Sequence, residues 1–396
     1  MTKDRFVPHV FPSFELSIAD QAELQALVST LIEEHLPGFR EYCHSSVDRN
    51  RWKLFKTKEN IRVYSEREFK HERLSGKKEE DNVVNLSVLL CEGAISGKFE
   101  DVMYGVMSPT LEVMRLNSSY LHDMHSASVL STLISPSPDD PFQSLVLKWV
   151  RLDLPLHSTS LVKNRDFVYV DATGILYLQD GEQLGFHVQH SVKLPHAPHL
   201  PGLVRGNFHL CAFFRQEREL AVEMYALGAC DPRGPVLKSL LVHSIASVLL
   251  TSTDYAHCGE MKKLTWIMQH RNKLRMQLSI KCNDDKCVNC ALPLRQSRVK
   301  RLSTVRRLCK LCFHPVCRSC RVQKLLTFME LDFQYIKRKV TFCPVCIKEA
   351  LGVCALQVAR DETLTTFRVC RTGSMLSTAS SSDEEMIETI VRLGGN

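Results

Sequence analysis

The residues of this 396-residue chain with the clearest chemistry are the cysteines near its C-terminal end. The stretch from 309 to 320 is CKLCFHPVCRSC, with two CxxC pairs and His314 between them, and a further CxxC pair lies on each side. Zinc takes four soft ligands arranged as a tetrahedron, and a CxxC turn supplies two of them. The four pairs therefore predict two zinc ions, bound by Cys287, Cys290, Cys309, Cys312, Cys317, Cys320, Cys343 and Cys346.

The other cysteines and the first residues indicate the compartment. Five cysteines are scattered before residue 282, and we interpret them as buried small apolar side chains. The other eleven fall between Cys282 and Cys370. The start, MTKDRFVPHVFPSF, has no apolar core of a signal peptide, and no run reaches the roughly 18 apolar residues of a membrane span. Clustered cysteines without a secretory signal favour metal binding over disulfides, so we expect a cytoplasmic protein.

Positive charge is concentrated in the same segment. From Lys281 to Cys346 there are fifteen Lys and Arg against four acidic residues, a balance of +11; the whole chain is +7, which leaves −4 for the remainder. Eight thiolates and two zinc ions would still leave this small module at about +7. The balance predicts an anionic partner, either a membrane or an acidic protein surface. Nucleic acid is a weaker prediction, because no helix shows Arg or Lys along one face.

The spacing of the inner four cysteines, C-x2-C-x4-C-x2-C, resembles that of the FYVE finger. In that family the ligand pairs are cross-braced, the first with the third and the second with the fourth. The resemblance implies two ligand sets, Cys287, Cys290, Cys317 and Cys320 for one ion and Cys309, Cys312, Cys343 and Cys346 for the other. His314 is then not a ligand.

The alternative uses His314 in place of Cys309, which gives a spacing similar to that of RING domains and fits the closing CPVC with Pro344. A RING docks its ubiquitin-conjugating partner through an aliphatic residue in the first knuckle and usually a Trp after the sixth ligand. Here that knuckle is CVNC, with Asn289 at the docking position, and RVQKLLTFMEL has no Trp. We favour the FYVE-like interpretation and keep a RING-type ubiquitin ligase with an unusual N-terminal domain as the alternative.

FYVE fingers bind phosphatidylinositol 3-phosphate through three short motifs, which this chain matches in part. VRRLCK keeps the charge of the Arg-Arg/Lys-His-His-Cys-Arg motif without its histidines, CNDDKC lacks the Trp of Trp-x-x-Asp, and KVTFC replaces Arg-Val-Cys. The candidate headgroup contacts are Arg306, Arg307 and Lys310. They predict weak binding to an anionic membrane or a phosphoinositide, since each basic residue near an acidic bilayer contributes on the order of 1 kcal/mol.

The rest of the chain supplies the elements of a larger domain. Residues 17–36 predict an amphipathic helix, capped by Ser17 and ended by Pro37-Gly38. Residues 52–230 are mainly β-rich runs separated by polar or Pro/Gly-bearing connectors, with helices predicted at FEDVMYGVM and around 121–134. After DPRGP, residues 236 to about 270 predict a long helix, so the expected class is α+β.

Several of these runs resemble the START lipid-binding domain, namely WKLFKTKENIRVYSER, NRDFVYVDAT, HSVKLPHAPHLPGLVRGNF and the DPRGP turn. The resemblance implies a helix-grip fold, in which a curved sheet wraps around the final helix and encloses an apolar cavity for a lipid. Arg165 and Asp166, at a strand start, and Arg205, after the PHAPHLPG loop, become cavity candidates. A structural ion pair is the favoured interpretation of Arg165 and Asp166.

Enzyme signatures are missing from the sequence: there is no G-x-S-x-G, H-E-x-x-H, P-loop or G-x-G-x-x-G, and no catalytic residue is predicted. The sequence therefore predicts a non-catalytic, lipid-binding adaptor, peripheral on an endosomal membrane. Its predicted parts are an N-terminal segment (1–16), a START-like domain (17–270), a linker (271–281), a FYVE-like finger (282–350) and an extension with a disordered, Ser-rich acidic tail (351–396).

Overall fold

The computed structural model of the chain describes residues 6–44, 46–67, 86–122, 124–152, 163–179, 181–234, 238–278, 285–294, 308–330 and 332–373. The chain divides into two compact units, Met1–Glu260 with Thr327–Ile336, and Met261–Leu326 with Lys337–Asn396. The Ser-rich tail lies outside the described residues. No helix within the described ranges is long and apolar enough to span a membrane.

The first unit is built on one large sheet of eleven strands. Neighbouring strands along it follow the order β1-β5-β6-β7-β8-β10-β11-β4-β3-β2, and β9 pairs with β7. The strands are β1 Val7–Pro8, β2 Trp52–Lys58, β3 Ile61–Glu66, β4 Ser87–Ser96, β5 Ser126–Ile134, β6 Ser144–Leu152, β7 Arg165–Tyr177, β8 Gln183–Ser191, β9 Val204–Arg205, β10 Asn207–Arg218 and β11 Ala221–Asp231.

Among the described residues, five α-helices accompany this sheet: α1 Ile18–His44, α2 Phe99–Val106, α3 Leu111–Tyr120, α4 Lys238–Leu249 and α5 Tyr255–Leu278, the last continuing into the second unit. Alternate residues of a strand point to opposite faces. On one face, which we call the α1 face, Val168 belongs to the same core as Leu31 of α1. On the other, the α4 face, Tyr169 packs with Leu241 of α4. The predicted α+β class is confirmed.

The second unit contains the cysteine pairs, the far part of α5 and two helices, α6 Pro344–Gly352 and α7 Ala355–Gly373. A two-stranded hairpin, β12 Val322–Met329 and β13 Tyr335–Phe342, starts and ends in this unit. Lys263 of α5 is fully buried, and its ammonium donates to the carbonyl oxygens of Leu351 (3.0 Å) and Val353 (2.9 Å). This cation therefore caps the C-terminal end of α6, where helix carbonyls lack partners.

The first predicted helix begins as expected, since the hydroxyl of Ser17 accepts the Asp20 N–H (3.2 Å). The predicted end at Pro37-Gly38 is wrong, because α1 continues through Pro37 to His44. A proline inside a helix costs about 3 kcal/mol in lost hydrogen bonding and strain. Contacts beyond the proline offset this cost: Phe39 is buried, and the Tyr42 hydroxyl donates to Glu92 (3.0 Å).

Two further boundaries differ from the sequence prediction. The helix predicted around 121–134 is wrong: α3 ends at Tyr120, and Ser126–Ile134 forms β5, as the β-branched Val129 and Thr132 favour. The final helix is confirmed but interrupted by a 3-10 turn at Leu250–Asp254. It then extends to Leu278, into the predicted linker, because no Pro or Gly interrupts residues 271–278.

Helices α2 and α5 approach each other at two glycines. A Cβ on Gly105 would lie 2.0 Å from the carbonyl oxygen of Tyr255, and one on Gly259 would lie 1.9 Å from that of Asp101. Real side chains do not reach such distances, so the two backbones are in direct contact. This contact fixes α2, and with it the turn that starts at Met107, against the N-terminal part of α5.

Three histidines form a hydrogen-bonded chain between α1 and the sheet. His35 Nδ1 donates to the Leu31 carbonyl (2.8 Å), so its Nε2 accepts from His209 Nε2 (3.0 Å), and His209 Nδ1 in turn accepts from His190 Nδ1 (3.1 Å). A second proton on His209 would face the N–H of His190. Burial, with the neighbouring His35 and His190, lowers the pKa of His209 to about 4, and burial with His35 lowers that of His190.

This chain predicts a loss of stability in mild acid. The unfolded imidazole of His209 titrates near pH 6.5 whereas the folded one stays neutral to about pH 4, so its stabilisation is complete above 6.5 and declines as the pH falls. Between pH 7 and 5 we expect a loss of about 1–2 kcal/mol after allowing for solvent screening. Urea unfolding of His209→Gln should show a flatter pH dependence, and the exposed His199→Gln should follow the parent. Equal slopes for all three would contradict the assignment.

The glycine contact predicts an unusual cost for alanine. In a helix Ala is normally favoured over Gly by roughly 0.5–1 kcal/mol. At Gly259 the added methyl would meet the Asp101 backbone, so we expect Gly259→Ala to destabilise the first unit by about 1–3 kcal/mol or more. Gly352→Ala is the control, since no atom lies within 4 Å of its added Cβ. A Gly259→Ala protein with an unchanged or higher urea midpoint would show that α2 and α5 do not touch there.

Candidate functional site

Eight cysteines of the second unit lie in two clusters. In each cluster the four Sγ atoms lie within 4.8 Å of one another, and each could hold a metal ion. The clusters are Cys287, Cys290, Cys317 and Cys320, and Cys309, Cys312, Cys343 and Cys346. These are the two sets that the FYVE-like order predicts.

The first two CxxC pairs lie in turns of the same design, KCVNCALP from residue 286 and LCKLCFHP from residue 308. In both turns the N–H of the first cysteine donates to the carbonyl five residues later, Leu292 or His314, at 2.9 Å. The residue after the second cysteine has a positive φ, 57° at Ala291 and 64° at Phe313. The repeated turn brings both sulfur atoms of a pair to one side, as a metal knuckle requires.

Backbone N–H groups also point at the sulfur atoms. Cys317 N donates to Cys287 Sγ (3.3 Å), and Cys346 N donates to Cys343 Sγ (3.4 Å). Burial would raise the pKa of Cys287, but the N–H groups of Cys317, Cys290 and Asn289 outweigh it and lower the pKa to about 6. The Cys312 thiol and several N–H groups lower that of Cys309 to about 4. The pKa values of Cys290, Cys312, Cys320 and Cys346 are raised instead, so each cluster favours one thiolate, and its other thiols would lose their protons on binding metal.

The sulfur positions fit zinc. Four thiolates at the usual Zn–S distance of about 2.3 Å stand about 3.8 Å apart in a tetrahedron. Cys290 and Cys317 lie 3.8 Å apart, and Cys312 and Cys343 lie 4.0 Å apart. Zinc bound there would be held by four thiolates with no open coordination position, which is a structural role.

His314 occupies the position that Leu292 has in the first knuckle. Its carbonyl closes the turn, and its ring Nδ1 lies 2.9 Å from the Cys312 carbonyl oxygen. Among the described residues, the second cluster contains Cys309 and does not contain His314. The arrangement of this turn thus favours the FYVE-like ligand set over the RING-like one.

The predicted headgroup contacts are only partly described. Arg306 and Arg307 lie outside the described residues. Lys310 is half-buried, its N–H donates to the Thr341 carbonyl (3.0 Å), and burial together with nearby Arg275 lowers its pKa. The Arg275 guanidinium lies 4.2 Å from the centre of the Phe313 ring. Two cations therefore flank the second metal knuckle.

A buried polar network lies on the α4 face of the sheet. The Lys148 ammonium is 3.1 Å from the Asp171 carboxylate and donates to the Ser108 carbonyl (2.6 Å) and hydroxyl (2.9 Å). Gln189 donates to Asp171 as well (2.9 Å). Burial raises the pKa of Asp171, but Lys148 and His187 outweigh it and hold that pKa below its ordinary value. Asp171 is therefore ionised at neutral pH.

One member of this network, His187, makes a poorly aligned polar contact. His187 is 7% exposed, and its Nε2 lies 3.3 Å from Asp171 but, within the described chain, has no hydrogen-bond partner of good geometry. Buried polar atoms are nearly always hydrogen-bonded. Burial, with nearby Cys91 and Asp171, raises the pKa of Tyr255, which packs edge to face on Phe214 (6.2 Å). The network is thus a small group of convergent polar side chains in a buried part of the first unit.

The sequence-predicted cavity residues lie elsewhere in the first unit. Asp166 is on the α1 face, where it accepts from Trp149 Nε1 (2.7 Å) and pairs with Arg205 (2.7 Å). Arg165 points to the α4 face, and its guanidinium donates to the carbonyls of Pro232 (3.2 Å) and Arg233 (3.0 Å). The ion pair expected between Arg165 and Asp166 is therefore wrong; Asp166 pairs with Arg205, because consecutive strand residues point to opposite faces.

Sequence reasoning missed the Lys148–Asp171–His187 network. A signal was present, since Lys148 stands inside the apolar run SLVLKWV and Asp171 inside FVYVDAT. Charged residues are almost never fully buried unless they are paired. Finding the pair required the strand register, in which Asp171 lies opposite Val146 and diagonal to Lys148.

Neither the protein-family models nor the curated proteins match this chain. Among solved structures it is similar to human StAR-related lipid transfer protein 5, at 15% identity and TM-score 0.40, over 59% of this chain and 97% of that one. It is also similar to human STARD10, at 15% identity and TM-score 0.39, over 61% and 85% of the two chains. A third is a STAR-related lipid transfer protein fragment from Xanthomonas axonopodis, at 16% identity and TM-score 0.37, over 52% and 98%. At these TM-scores the similarity assigns no activity to this chain.

Proposed function

We propose that this chain is a non-catalytic lipid-binding adaptor. Its first unit holds an apolar ligand between the α4 face of the sheet and the closing helices. Its second unit is a FYVE-like finger, held by two zinc ions, that meets an anionic membrane or protein surface in the cytoplasm, for instance an endosomal membrane.

The metal part of the proposal is supported by the two four-cysteine clusters. Their sulfur spacing and N–H donors suit zinc, and a unit this small gains much of its stability from such ions. The net +11 of residues 281–346 supports an anionic partner for the finger.

The lipid part rests on one observation, the buried Lys148–Asp171–His187 network on the α4 face. Ion pairs are costly to bury, and an apolar core would not need one. A ligand whose apolar body packs on this face and whose polar group reaches His187 Nε2 would give this atom a better-aligned partner than the Asp171 carboxylate. We therefore assign the network as the anchor for the polar end of the ligand.

Metal analysis of single variants tests the ligand assignment. We expect the parent to bind two zinc ions, and Cys309→Ala to lose most of the second because three thiolates hold zinc more weakly. His314→Ala should keep both. Cys354→Ala, at an exposed cysteine outside both clusters, is the control. Zinc-edge spectroscopy would report four sulfur ligands per ion; loss of zinc in His314→Ala but not in Cys309→Ala would favour the RING alternative.

Lipid extraction tests the anchor. Extraction is measured from phosphatidylcholine vesicles in two separate experiments, one with the phospholipid probe NBD-phosphatidylcholine and one with the sterol probe dehydroergosterol. We expect His187→Phe and Asp171→Asn to reduce extraction of the bound probe by about tenfold, since a lost charge-assisted hydrogen bond is worth about 1.5–3 kcal/mol.

Asp166→Asn is the matched control, because Asp166 is a paired carboxylate of the same strand, equally buried, on the opposite face. It should lower stability without lowering extraction. If His187→Phe and Asp171→Asn melt like the parent and still extract both probes normally, the network is not the ligand anchor. If the parent extracts neither probe, this result would count against binding of phospholipids and sterols.

A further inference from the structure

The tip of the β12–β13 hairpin, Thr327–Ile336, belongs to the first unit although both its strands start or end in the second. The Thr327 N–H donates to the Tyr120 hydroxyl (2.7 Å), and its own hydroxyl bonds that of Ser119 (2.8 Å). Gln334 Nε2 donates to the Phe6 carbonyl (3.2 Å). The tip is thus joined to the end of α3 and to the N-terminal segment.

Arg115 of α3 is the centre of this contact and is 6% exposed. Its guanidinium lies between two rings, 4.4 Å from the centre of Phe6 and 4.5 Å from that of Tyr335. It also donates to the carbonyls of Met124 (2.9 Å) and Phe333 (3.4 Å). Stacked, desolvated cations of this kind contribute more than exposed ones, so the tip holds α3 strongly.

α3 in turn is bonded to the turn that supports the buried network. Asn117 Nδ2 donates to the carbonyls of Gly105 (2.9 Å) and Met107 (3.0 Å) at the end of α2. The next residue, Ser108, accepts both hydrogen bonds from Lys148. A continuous series of contacts therefore runs from the hairpin tip to the Lys148–Asp171 pair.

The other ends of the hairpin reach the metal clusters. Cys320 of the first cluster precedes β12 by two residues, and Cys343 of the second cluster follows β13 directly. Each strand of the hairpin is thus covalently attached to a different cluster. A bound ion at each would fix the start of one strand and the end of the other.

From these contacts we infer that Thr327–Ile336 is a metal-dependent strap, which holds α3 and the Lys148 anchor in place while the clusters are loaded. The inference rests on the proposed zinc binding and adds to it that the ions stabilise the lipid-binding unit as well as the finger. By linkage, removing the metal lowers the stability of the first unit, and the residues of the tip carry this effect.

Tryptophan fluorescence can follow the first unit by itself. Trp52 and Trp149 are buried there, and the third tryptophan, Trp266, is in the second unit, so a Trp266→Phe background reports on the first unit alone. Full-length protein is melted with saturating zinc and after removal of zinc by a chelator. We expect chelation to lower the midpoint by about 5 °C or more, given typical shifts for a domain of this size.

The tip variant Phe333→Ala/Tyr335→Ala should have a lower midpoint with zinc present, and chelation should shift it by less than half as much as the parent. Thr327→Val replaces the hydroxyl with a methyl group and keeps the backbone N–H. We expect smaller changes in the same direction, both in the midpoint with zinc and in the shift on chelation. Gln323→Ala/Lys339→Ala, at exposed positions of the same hairpin, should behave like the parent.

Metal content measured on the same samples separates the two ideas. A parent that loses two zinc ions on chelation without any change in the tryptophan midpoint would sink the strap and leave the zinc proposal intact. A tip variant that melts like the parent would also overturn the strap. A parent that never contains zinc would refute the metal proposal and, with it, the metal dependence of the strap.

Discussion

Strand alternation is the constraint on which the first unit depends. In β7, Asp166 and Asp171 differ by an odd number of positions, so they point to opposite faces. Asp166 pairs with Arg205 on the α1 face, where the pair has a structural role. Asp171 pairs with Lys148 on the α4 face and belongs to the candidate site. A one-residue shift in the register of β6 and β7 would separate Lys148 from Asp171 and bury both charges unpaired, so the register and the site are fixed together.

The second unit depends on a different constraint, the repeated knuckle. Ala291 and Phe313 adopt positive φ angles that ordinarily favour glycine, and the knuckle hydrogen bonds hold them there. Because the same turn recurs with Leu292 and His314 at equivalent positions, it is the turn geometry, and not the identity of nearby side chains, that decides which groups converge in each cluster.

Local signals in the sequence predicted much of this architecture. The CxxC spacing predicted both clusters, alternating apolar runs predicted the strands, and Ser17 predicted the start of α1. What could not be predicted depends on distant partners. Pro37 stays inside α1 because Phe39 and Tyr42 are held by the sheet. The sequence predicted the hairpin as part of one continuous finger, because its contacts to α3 involve residues some 200 positions earlier in the chain.

The bond between Gln334 and Phe6 joins residues 328 positions apart. At synthesis rates of about 5–20 residues per second, the ribosome needs roughly 4–15 s more to make residues 261–336 after Glu260 has been added. Until then Phe6 and Arg115 lack the contacts that Phe333, Gln334 and Tyr335 make with them. The tip can therefore pack on α3 only after three of the four CxxC pairs have been made.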